Sequence, residues 1–271
     1  MSKIKTSFNV VEEKSARLAV LIDADNASAQ TIEAILEESS TKFGDATVKR
    51  IYGNFVGDNG TWKAVINKYA IKPMQQFAYT KGKNATDGFM IIDAMDLLYT
   101  NRFDGFCIVS SDSDFTALAI RLKEQGVMVY GFGKEQTPEA FRNACSQFIY
   151  VENLLPELKK EQEKQVIDNK AEIATQTNKT ISTNVITNNP SQPPELPMDT
   201  IRRIFEQSDS EWLPIAVLGS TWKRLQVDID PRTYGCKKFT DLVKKYPNVF
   251  DHKVNKNARG PQGYMSVRLK I

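Results

Sequence analysis

The stretch Val109–Phe115, with the sequence VSSDSDF, joins the end of an apolar run to the start of a helical pattern. The residues before it, Phe106–Val109, are all apolar, which is typical of a strand buried in a parallel sheet. Hydroxyl and carboxylate side chains then follow at once. Because ligands of open α/β sheets gather beyond the carboxyl ends of the strands, this stretch predicts one half of a binding site.

A second stretch of the same design lies nearer the N-terminus. Residues 17–22 (RLAVLI) form a short apolar run, and Asp23, Asp25 and Asn26 follow it directly. Two apolar strands that both end in Asp-x-Asp predict carboxylates that converge on one edge of a parallel sheet.

A third carboxylate comes from the basic loop at residues 81–87, which leads into a strongly periodic helix. Apolar residues recur at three- and four-residue steps from Met90 onward, and Asp87 shares their inward face one turn earlier. An unpaired carboxylate is costly to bury, so Asp87 is either a helix-start residue reached by water or a ligand. Asp93 and Asp96 fall off that face, and we expect them to be solvated or to act as caps.

Strand patterns alternate with helical patterns through the first part of the chain. The strands are predicted at residues 17–22, 47–55, 74–79, 106–109, 127–132 and 148–151. This alternation predicts the α/β class, with a parallel sheet and helices on both of its faces. Asp23 and Asp112 then lie beyond the carboxyl ends of their strands, and Asp87 is expected beside them.

The length of 271 residues suits two domains rather than one. Residues 15–155 carry the α/β pattern. Residues 156–197 predict a flexible linker, because residues 159–165 are charged and residues 175–194 are mostly Asn, Thr, Ser, Gln and Pro, with too few apolar residues to fold. Residues 198–271 show three helices followed by a hairpin, the pattern of a small winged helix-turn-helix domain.

Composition excludes several classes of protein. No apolar run approaches the roughly 20 residues that span a bilayer, which predicts no membrane partner. The start of the chain, residues 1–14, is polar and lacks the features of a secretory signal peptide. Three scattered cysteines predict neither disulfides nor a metal-ligand spacing, but buried thiols in a reducing compartment, and we expect the cytoplasm. The single histidine, His252, excludes multi-histidine zinc sites and lies near the C-terminus, where we expect it at the surface.

The net charge of +3 hides an asymmetry. Residues 1–155 contain 17 Lys and Arg against 19 Asp and Glu, whereas residues 198–271 contain 14 against 8. A basic small domain beside an acidic site favours a polyanionic partner, although small domains are also basic by chance. The residues predicted to contact phosphates are Lys223, Arg224, Lys237, Lys238, Lys244 and Lys245. A solvated basic face is the alternative for any one of them.

Carboxylates clustered at strand ends coordinate Mg²⁺ or Mn²⁺, which prefer oxygen ligands. Such a site would activate water and neutralise phosphate charge. The candidate ligands are Asp23, Asp87, Asp112 and Asp114, with neutral groups from Asn26, Thr86, Ser110 and Ser111. A single Asp before a helix is more often a cap, but two Asp-x-Asp strand ends and a third loop Asp together favour a metal site.

Three segments taken in order resemble the signature segments of the NYN domain, a PIN-like nuclease fold, in its LabA-like branch. They are LIDADN at 21–26, KNATDGF at 83–89 and VSSDSDF at 109–115, and the similarity spans about residues 15–152. The resemblance implies metal-dependent RNA cleavage, with Asp23, Asp87, Asp112 and Asp114 binding the metal and Asn26 assisting. It places RNA contacts at Lys81 or Lys83 in the basic loop and at Ser110 and Ser111. The family usually has glycine at the position of Ser111, which affects how closely a phosphate approaches the backbone.

The C-terminal segment resembles the LOTUS domain, also called OST-HTH, a winged-helix module. The resemblance rests on residues 212–219 (WLPIAVLG) and 235–243 (GCKKFTDLV), which are mostly core positions. It implies RNA binding, with Lys223, Arg224, Lys237 and Lys238 as the candidate contacts, and leaves open a protein partner on this domain and a homodimer.

Three functions compete. The leading hypothesis is a metal-dependent endoribonuclease, and the second is a non-catalytic RNA-binding regulatory protein. The third is a phosphatase of the haloacid dehalogenase type, because Asp23-x-Asp25 after a strand mimics its nucleophile. That family has Thr or Val two residues beyond the second Asp, whereas Ser28 lies three beyond it here, and the contexts of Asn26 and Phe115 favour the NYN domain.

Overall fold

The computed structural model describes residues 15–55, 60–75, 85–155, 195–208, 210–255 and 264–270. These residues form an α/β unit in the first part of the chain and a smaller unit in the last part. None of the helices that they form is long and apolar enough to cross a membrane.

A six-stranded parallel sheet forms the centre of the α/β unit. Its strands are β1 (Arg17–Asp23), β2 (Asp45–Gly53), β3 (Lys72–Gln75), β4 (Gly105–Val109), β5 (Met128–Gly133) and β6 (Gln147–Tyr150). They lie in the order β3-β2-β1-β4-β5-β6, and every neighbouring pair is parallel. The predicted third strand begins two residues earlier than expected, and residues 76–79 of that prediction lie outside the described residues. The two strands that end in Asp-x-Asp stretches, β1 and β4, are neighbours at the centre.

Helices cover both faces of this sheet, as predicted. They are α1 (Ile32–Lys42), α2 (Gly60–Tyr69), α3 (Ala85–Tyr99), α4 (Thr116–Glu124) and α5 (Glu139–Ala144). Successive residues of β1 point to opposite faces: Ala19 and Leu21 join the core of α3, α4 and α5, whereas Leu18, Val20 and Ile22 join that of α1 and α2. This confirms the α/β class and explains why the strand is apolar without interruption.

Asp93 in α3 is buried, and the expectation of a solvated or capping residue was wrong. Its carboxylate accepts hydrogen bonds from the Arg50 guanidinium and the Tyr52 hydroxyl, both on β2. The side chains of Arg50 and Asp93 are only 20% and 12% exposed. The helix face that carries Asp93 lies against β2, which supplies the cation that a buried carboxylate needs. Asp96, one turn further on, is exposed.

The smaller unit has three helices and a β-hairpin. They are α6 (Met198–Glu206), α7 (Ile215–Leu225) and α8 (Phe239–Lys245), with strands β7 (Leu213–Pro214), β8 (Phe250–Asn255) and β9 (Tyr264–Leu269). The strands are antiparallel in the order β7-β9-β8, and Trp222 is fully buried in the core beneath them. The order of three helices and a closing hairpin agrees with the sequence prediction, and His252 on β8 is exposed as expected.

Candidate metal centre

The pairing of β1 with β4 places Asp23 beside Ser110. Ile22 and Val109 are register partners, so the residues that follow them, Asp23 and Ser110, lie side by side where the two strands end. The Ser110 hydroxyl donates a hydrogen bond to Asp23 Oδ2 over 2.7 Å. Asp23 is 0% exposed and Ser110 is 1% exposed, so this contact is sealed from solvent.

The Asp23 carboxylate accepts two further hydrogen bonds. The Asn26 amide donates to Oδ2 over 2.9 Å, and the backbone N–H of Asp25 donates to Oδ1 over 3.0 Å. A buried carboxylate is costly unless it is hydrogen-bonded, and donors to an ionised acceptor are among the strongest. The structure therefore places Asn26 as a residue that fixes Asp23.

The turn after β4 holds Asp112 and Asp114. The Asp112 N–H donates to the Ser110 hydroxyl over 3.0 Å, and Asp112 Oδ1 accepts from the Asp114 N–H over 2.9 Å. Asp112 thereby caps a short 3-10 turn, which Phe115 anchors because its ring is fully buried. One carboxylate oxygen of Asp112, Oδ1, therefore serves the cap.

Three of the four predicted ligands converge. Asp87, in the first turn of α3, Asp112 and Asp114 each offer a carboxylate oxygen, and these oxygens lie within 4.8 Å of one another. Asp23 does not belong to that set. It lies buried beside the set, close enough to act on Asp87 electrostatically.

Negative charge accumulates at this edge. The pKa of Asp87 is raised from 3.8 to about 6, first by burial and then by the charges of Asp23, Asp112, Asp114 and Asp25. Burial and the charge of Asp23 also raise the pKa of Asp25, against the opposing effect of a hydrogen bond with Thr86. Like charges that crowd one another in this way favour binding of a cation.

Asp25 adds charge beside the three converging carboxylates, and the predicted ligand set omitted it. The signal was present in the sequence, since Asp25 is the second carboxylate of the first Asp-x-Asp stretch. Thr86, predicted as a neutral group of the site, lies within hydrogen-bonding reach of it.

Ser111 contacts the neighbouring strand end. Its hydroxyl accepts a hydrogen bond from the Lys134 N–H over 2.9 Å, just beyond β5. Among the described residues other than glycine, only Ala70 and Asn101 have a positive φ, so this position does not require the conformational freedom of glycine. Ser111 also lines a cavity of about 220 Å³ beside the acidic cluster, together with Ser110, Lys134 and Glu152. The sequence did not predict Lys134 or Glu152 at the site.

The predicted RNA contacts are only partly described. Lys81 and Lys83 lie outside the described residues. In the smaller unit Lys223, Arg224, Lys237 and Lys238 are all exposed. Lys223 and Lys238 line one shallow groove between α7 and α8, whereas Arg224 and Lys237 are not part of its lining. Of the two remaining candidates, Lys244 is exposed, and Lys245 donates to the Tyr234 carbonyl over 2.6 Å and so stabilises the unit itself.

Asp87→Asn should stabilise the metal-free protein. The raised pKa means that the folded state holds the Asp87 proton more tightly than the unfolded state, so stability from this group is lost as pH rises from 3.8 to about 6. At pH 7 the amide removes one crowded charge, and thermal unfolding should move to higher temperature. Mn²⁺ should raise the melting temperature of the wild type and have little effect on the variant. A variant that melts lower than wild type without metal would contradict this account.

Comparison with known proteins gives relatives whose names state no activity. An uncharacterized protein of Methanocaldococcus jannaschii is 30% identical over 122 residues, which are 44% of this chain and 48% of that protein. The chain thus spans about half the length of this relative. A crystal structure of a protein of unknown function from Vibrio parahaemolyticus aligns with a TM-score of 0.43 at 15% identity, over 50% of this chain and 93% of that one. A solution structure of an uncharacterized protein from Nitrosomonas europaea aligns with a TM-score of 0.28 at 27% identity, over 35% of this chain and 92% of that one.

Family models match both parts of the chain in the predicted order. The NYN domain matches residues 17–155, which hold the whole parallel sheet and all the predicted metal ligands. The OST-HTH/LOTUS domain matches residues 192–261. The NYN match covers half of the chain. The chain therefore belongs to the NYN domain family, within the PIN-like nuclease superfamily, and carries an OST-HTH/LOTUS domain after the NYN domain.

Proposed function

We propose that the protein is a metal-dependent endoribonuclease that hydrolyses phosphodiester bonds in RNA held partly by its C-terminal domain. The observation that carries this proposal is the convergence of the Asp87, Asp112 and Asp114 carboxylates beyond the sheet edge. The domain belongs to a nuclease superfamily, and OST-HTH/LOTUS domains bind RNA.

The residues present fit Mg²⁺ or Mn²⁺. Among the described residues the converging groups are carboxylates, the ligands that these ions prefer, and burial together with the neighbouring negative charges raises the pKa of Asp87. Asp87, Asp112 and Asp114 would hold the ion, with Asp23 as the fourth predicted carboxylate. A bound ion would neutralise phosphate charge and supply an activated water.

Residues around the carboxylates set their positions. Ser110 accepts a hydrogen bond from the Asp112 N–H and donates one to Asp23, so one hydroxyl fixes the ends of two neighbouring strands. The Asn26 amide, in the turn after β1, donates a hydrogen bond to the same Asp23 oxygen. Such partners of metal ligands set the ligand orientation and hence the affinity for the ion.

RNA binding is proposed at exposed basic residues. The groove that Lys223 and Lys238 line can accept backbone phosphates without reading bases, with Arg224 and Lys237 beside it. Lys81 or Lys83, and Ser111, stay the predicted contacts at the nuclease centre, whereas the predicted contact Ser110 is only 1% exposed and its hydroxyl is engaged by Asp23 and Asp112. A homodimer and a protein partner on the C-terminal domain also stay predictions, as does the cytoplasm, which the buried free cysteines support.

Incubation of the purified protein with single-stranded and structured RNA tests the proposal. Cleavage should appear with Mn²⁺ or Mg²⁺ and stop with EDTA. Cleavage that EDTA does not affect would reject the metal dependence.

One observation favours the second function, a non-catalytic RNA-binding regulator. Asp23 is fully buried and already accepts three hydrogen bonds, which leaves three converging carboxylates. If RNA shifts in a gel without being cut in Mn²⁺, and the shift needs the C-terminal domain, the regulatory function is correct.

Ser110→Ala should weaken metal binding. The variant removes the hydroxyl that joins Asp23 to Asp112, and loss of such a partner typically costs about 10–100-fold in metal affinity or activity. Titration with Mn²⁺, followed by electron paramagnetic resonance of the free ion, measures the change. Ser40→Ala is the matched control, because the exposed Ser40 hydroxyl only donates to the Glu37 carbonyl at the end of α1. Equal affinities for the two variants would show that Ser110 does not organise the site.

A further inference from the structure

The segment at residues 227–233, between α7 and α8, lies against the α/β unit. The Phe148 N–H, on β6 at the edge of the sheet, donates to the Val227 carbonyl over 3.0 Å. An edge strand offers unpaired backbone groups to a neighbouring chain segment. Here the smaller unit supplies the partner for one of these groups.

Asp228 makes the ionic part of the contact. Its carboxylate accepts hydrogen bonds from the Arg142 guanidinium in α5 and from the Tyr150 hydroxyl at the end of β6, the latter over 2.6 Å. The Arg142 and Asp228 side chains are 22% and 14% exposed. The Arg142 guanidinium also donates to the Tyr150 hydroxyl, so the three side chains form a closed cluster.

Two further contacts lie on other elements. Arg232 donates to Glu38 Oε1 in α1 over 2.6 Å and is itself held by Asp230 over 2.6 Å. The Asn153 amide, just after β6, donates to the Thr233 hydroxyl over 2.9 Å. Contacts at four separate points define an orientation, whereas a single contact would leave the two units free to rotate about it.

We propose that residues 227–233 form a docking segment that keeps the C-terminal domain fixed on β6 of the same chain in solution. Separation of the two units would leave the partly buried Arg142 and Asp228 without each other, and a partly buried charge without its partner is costly. The cluster of Arg142, Tyr150 and Asp228 therefore favours the docked arrangement. The occupant of the β6 edge is the C-terminal domain of this chain, which already presents the complementary charges.

The docking contacts lie close to the acidic cluster. Tyr150 and Asn153 hold the smaller unit, and the two residues between them, Val151 and Glu152, line the cavity beside the metal centre. The groove of Lys223 and Lys238 stays exposed in the docked arrangement. If the proposed function is correct, RNA in that groove is presented to the nuclease centre from a fixed position.

A charge swap in the full-length chain tests the docking. Asp228→Arg and Arg142→Asp each place like charges together, whereas the double variant restores an opposite pair. Glu206→Arg is the control, because it makes the same change of charge on an exposed residue at the end of α6. Nuclear magnetic resonance relaxation of ¹⁵N-labelled protein measures the rotational correlation time of each domain. Circular dichroism establishes that every variant is folded, and light scattering gives the mass.

In the wild type, the control and the double variant, both domains should tumble with one correlation time. In each single variant the smaller domain should tumble faster than the larger one. Separate correlation times in the wild type would overturn the proposal, as would single variants that tumble like the wild type. A dimeric mass that falls to monomer in the single variants would place the docking between two copies and so overturn the intramolecular assignment. None of these readouts depends on RNA cleavage, so docking and nuclease activity can fail separately.

Discussion

Asp112→Asn is expected to abolish RNA cleavage and to leave the fold intact. A carboxylate oxygen of Asp112 belongs to the converging set with Asp87 and Asp114, and the amide removes the charge of that carboxylate. If Asp112 is a metal ligand as proposed, its loss should exceed the effect of losing a supporting residue, so we expect cleavage to fall by more than about 100-fold. The measurement is the initial rate of RNA cleavage in Mn²⁺.

The fold should survive because Asn can perform the structural task of Asp112. Its amide oxygen can accept the Asp114 N–H, as Asp112 Oδ1 does, and Asn is as good a cap as Asp. Asp45→Asn is the matched control. This exposed carboxylate lies at the start of β2, at the end of the sheet opposite to the acidic cluster. The control should cleave at the wild-type rate.

The pair of variants also separates the two candidate functions. RNA binding in a gel should be retained in Asp112→Asn, since the basic groove lies on the other domain. If Asp112→Asn cleaves RNA at the wild-type rate, the metal-centre proposal is rejected. If neither the wild type nor the two variants cleave RNA but all of them bind it, the regulatory function is favoured.

The sequence predicted that the strand ends carrying Asp23 and Asp112 meet at one edge of the sheet, and the structure agrees, because the signals for strand ends are local. An apolar run that ends in carboxylates identifies a strand end, and two such strands in a parallel sheet must deliver Asp23 and Asp112 to one edge. Local signals do not distinguish a ligand from its support. The structure shows that Asp23 is fully buried under Ser110 and Asn26, whereas Asp114, two residues beyond Asp112, is exposed.

Contacts between distant residues could not be predicted in this way. Asp228, in the segment between α7 and α8, meets Arg142 of α5 from the other side of the predicted linker, and no periodicity in the sequence indicates the pairing. Asp93 is a shorter-range example, because its position on α3 was inferred from the apolar residues of that helix alone. Its partners Arg50 and Tyr52 lie on a strand that ends before α2 begins.

Asp93→Ala is expected to reduce the free energy of unfolding of the α/β unit by about 3 kcal/mol. The variant leaves the Arg50 guanidinium partly buried without its carboxylate, and the Tyr52 hydroxyl, which is on a fully buried residue, without its acceptor. We take the lower end of the usual range, because both side chains of the pair keep some exposure. Burial and the hydrogen bond to Asp93 raise the pKa of Tyr52, so the hydroxyl stays a donor and needs that acceptor.

Asp96→Ala is the matched control, since Asp96 is on the same helix but exposed, and its change should stay within about 0.5 kcal/mol. Hydrogen exchange of the β1 amides reports the α/β unit without interference from the smaller unit. Because Arg50 and Asp93 interact directly, Arg50→Ala combined with Asp93→Ala should cost less than the sum of the single variants. Additive losses, or equal effects of Asp93→Ala and Asp96→Ala, would show that α3 is held on β2 by its apolar face alone. A coupled loss would instead show that this ion pair helps the apolar face of α3 to hold the helix, and with it Asp87, against the sheet.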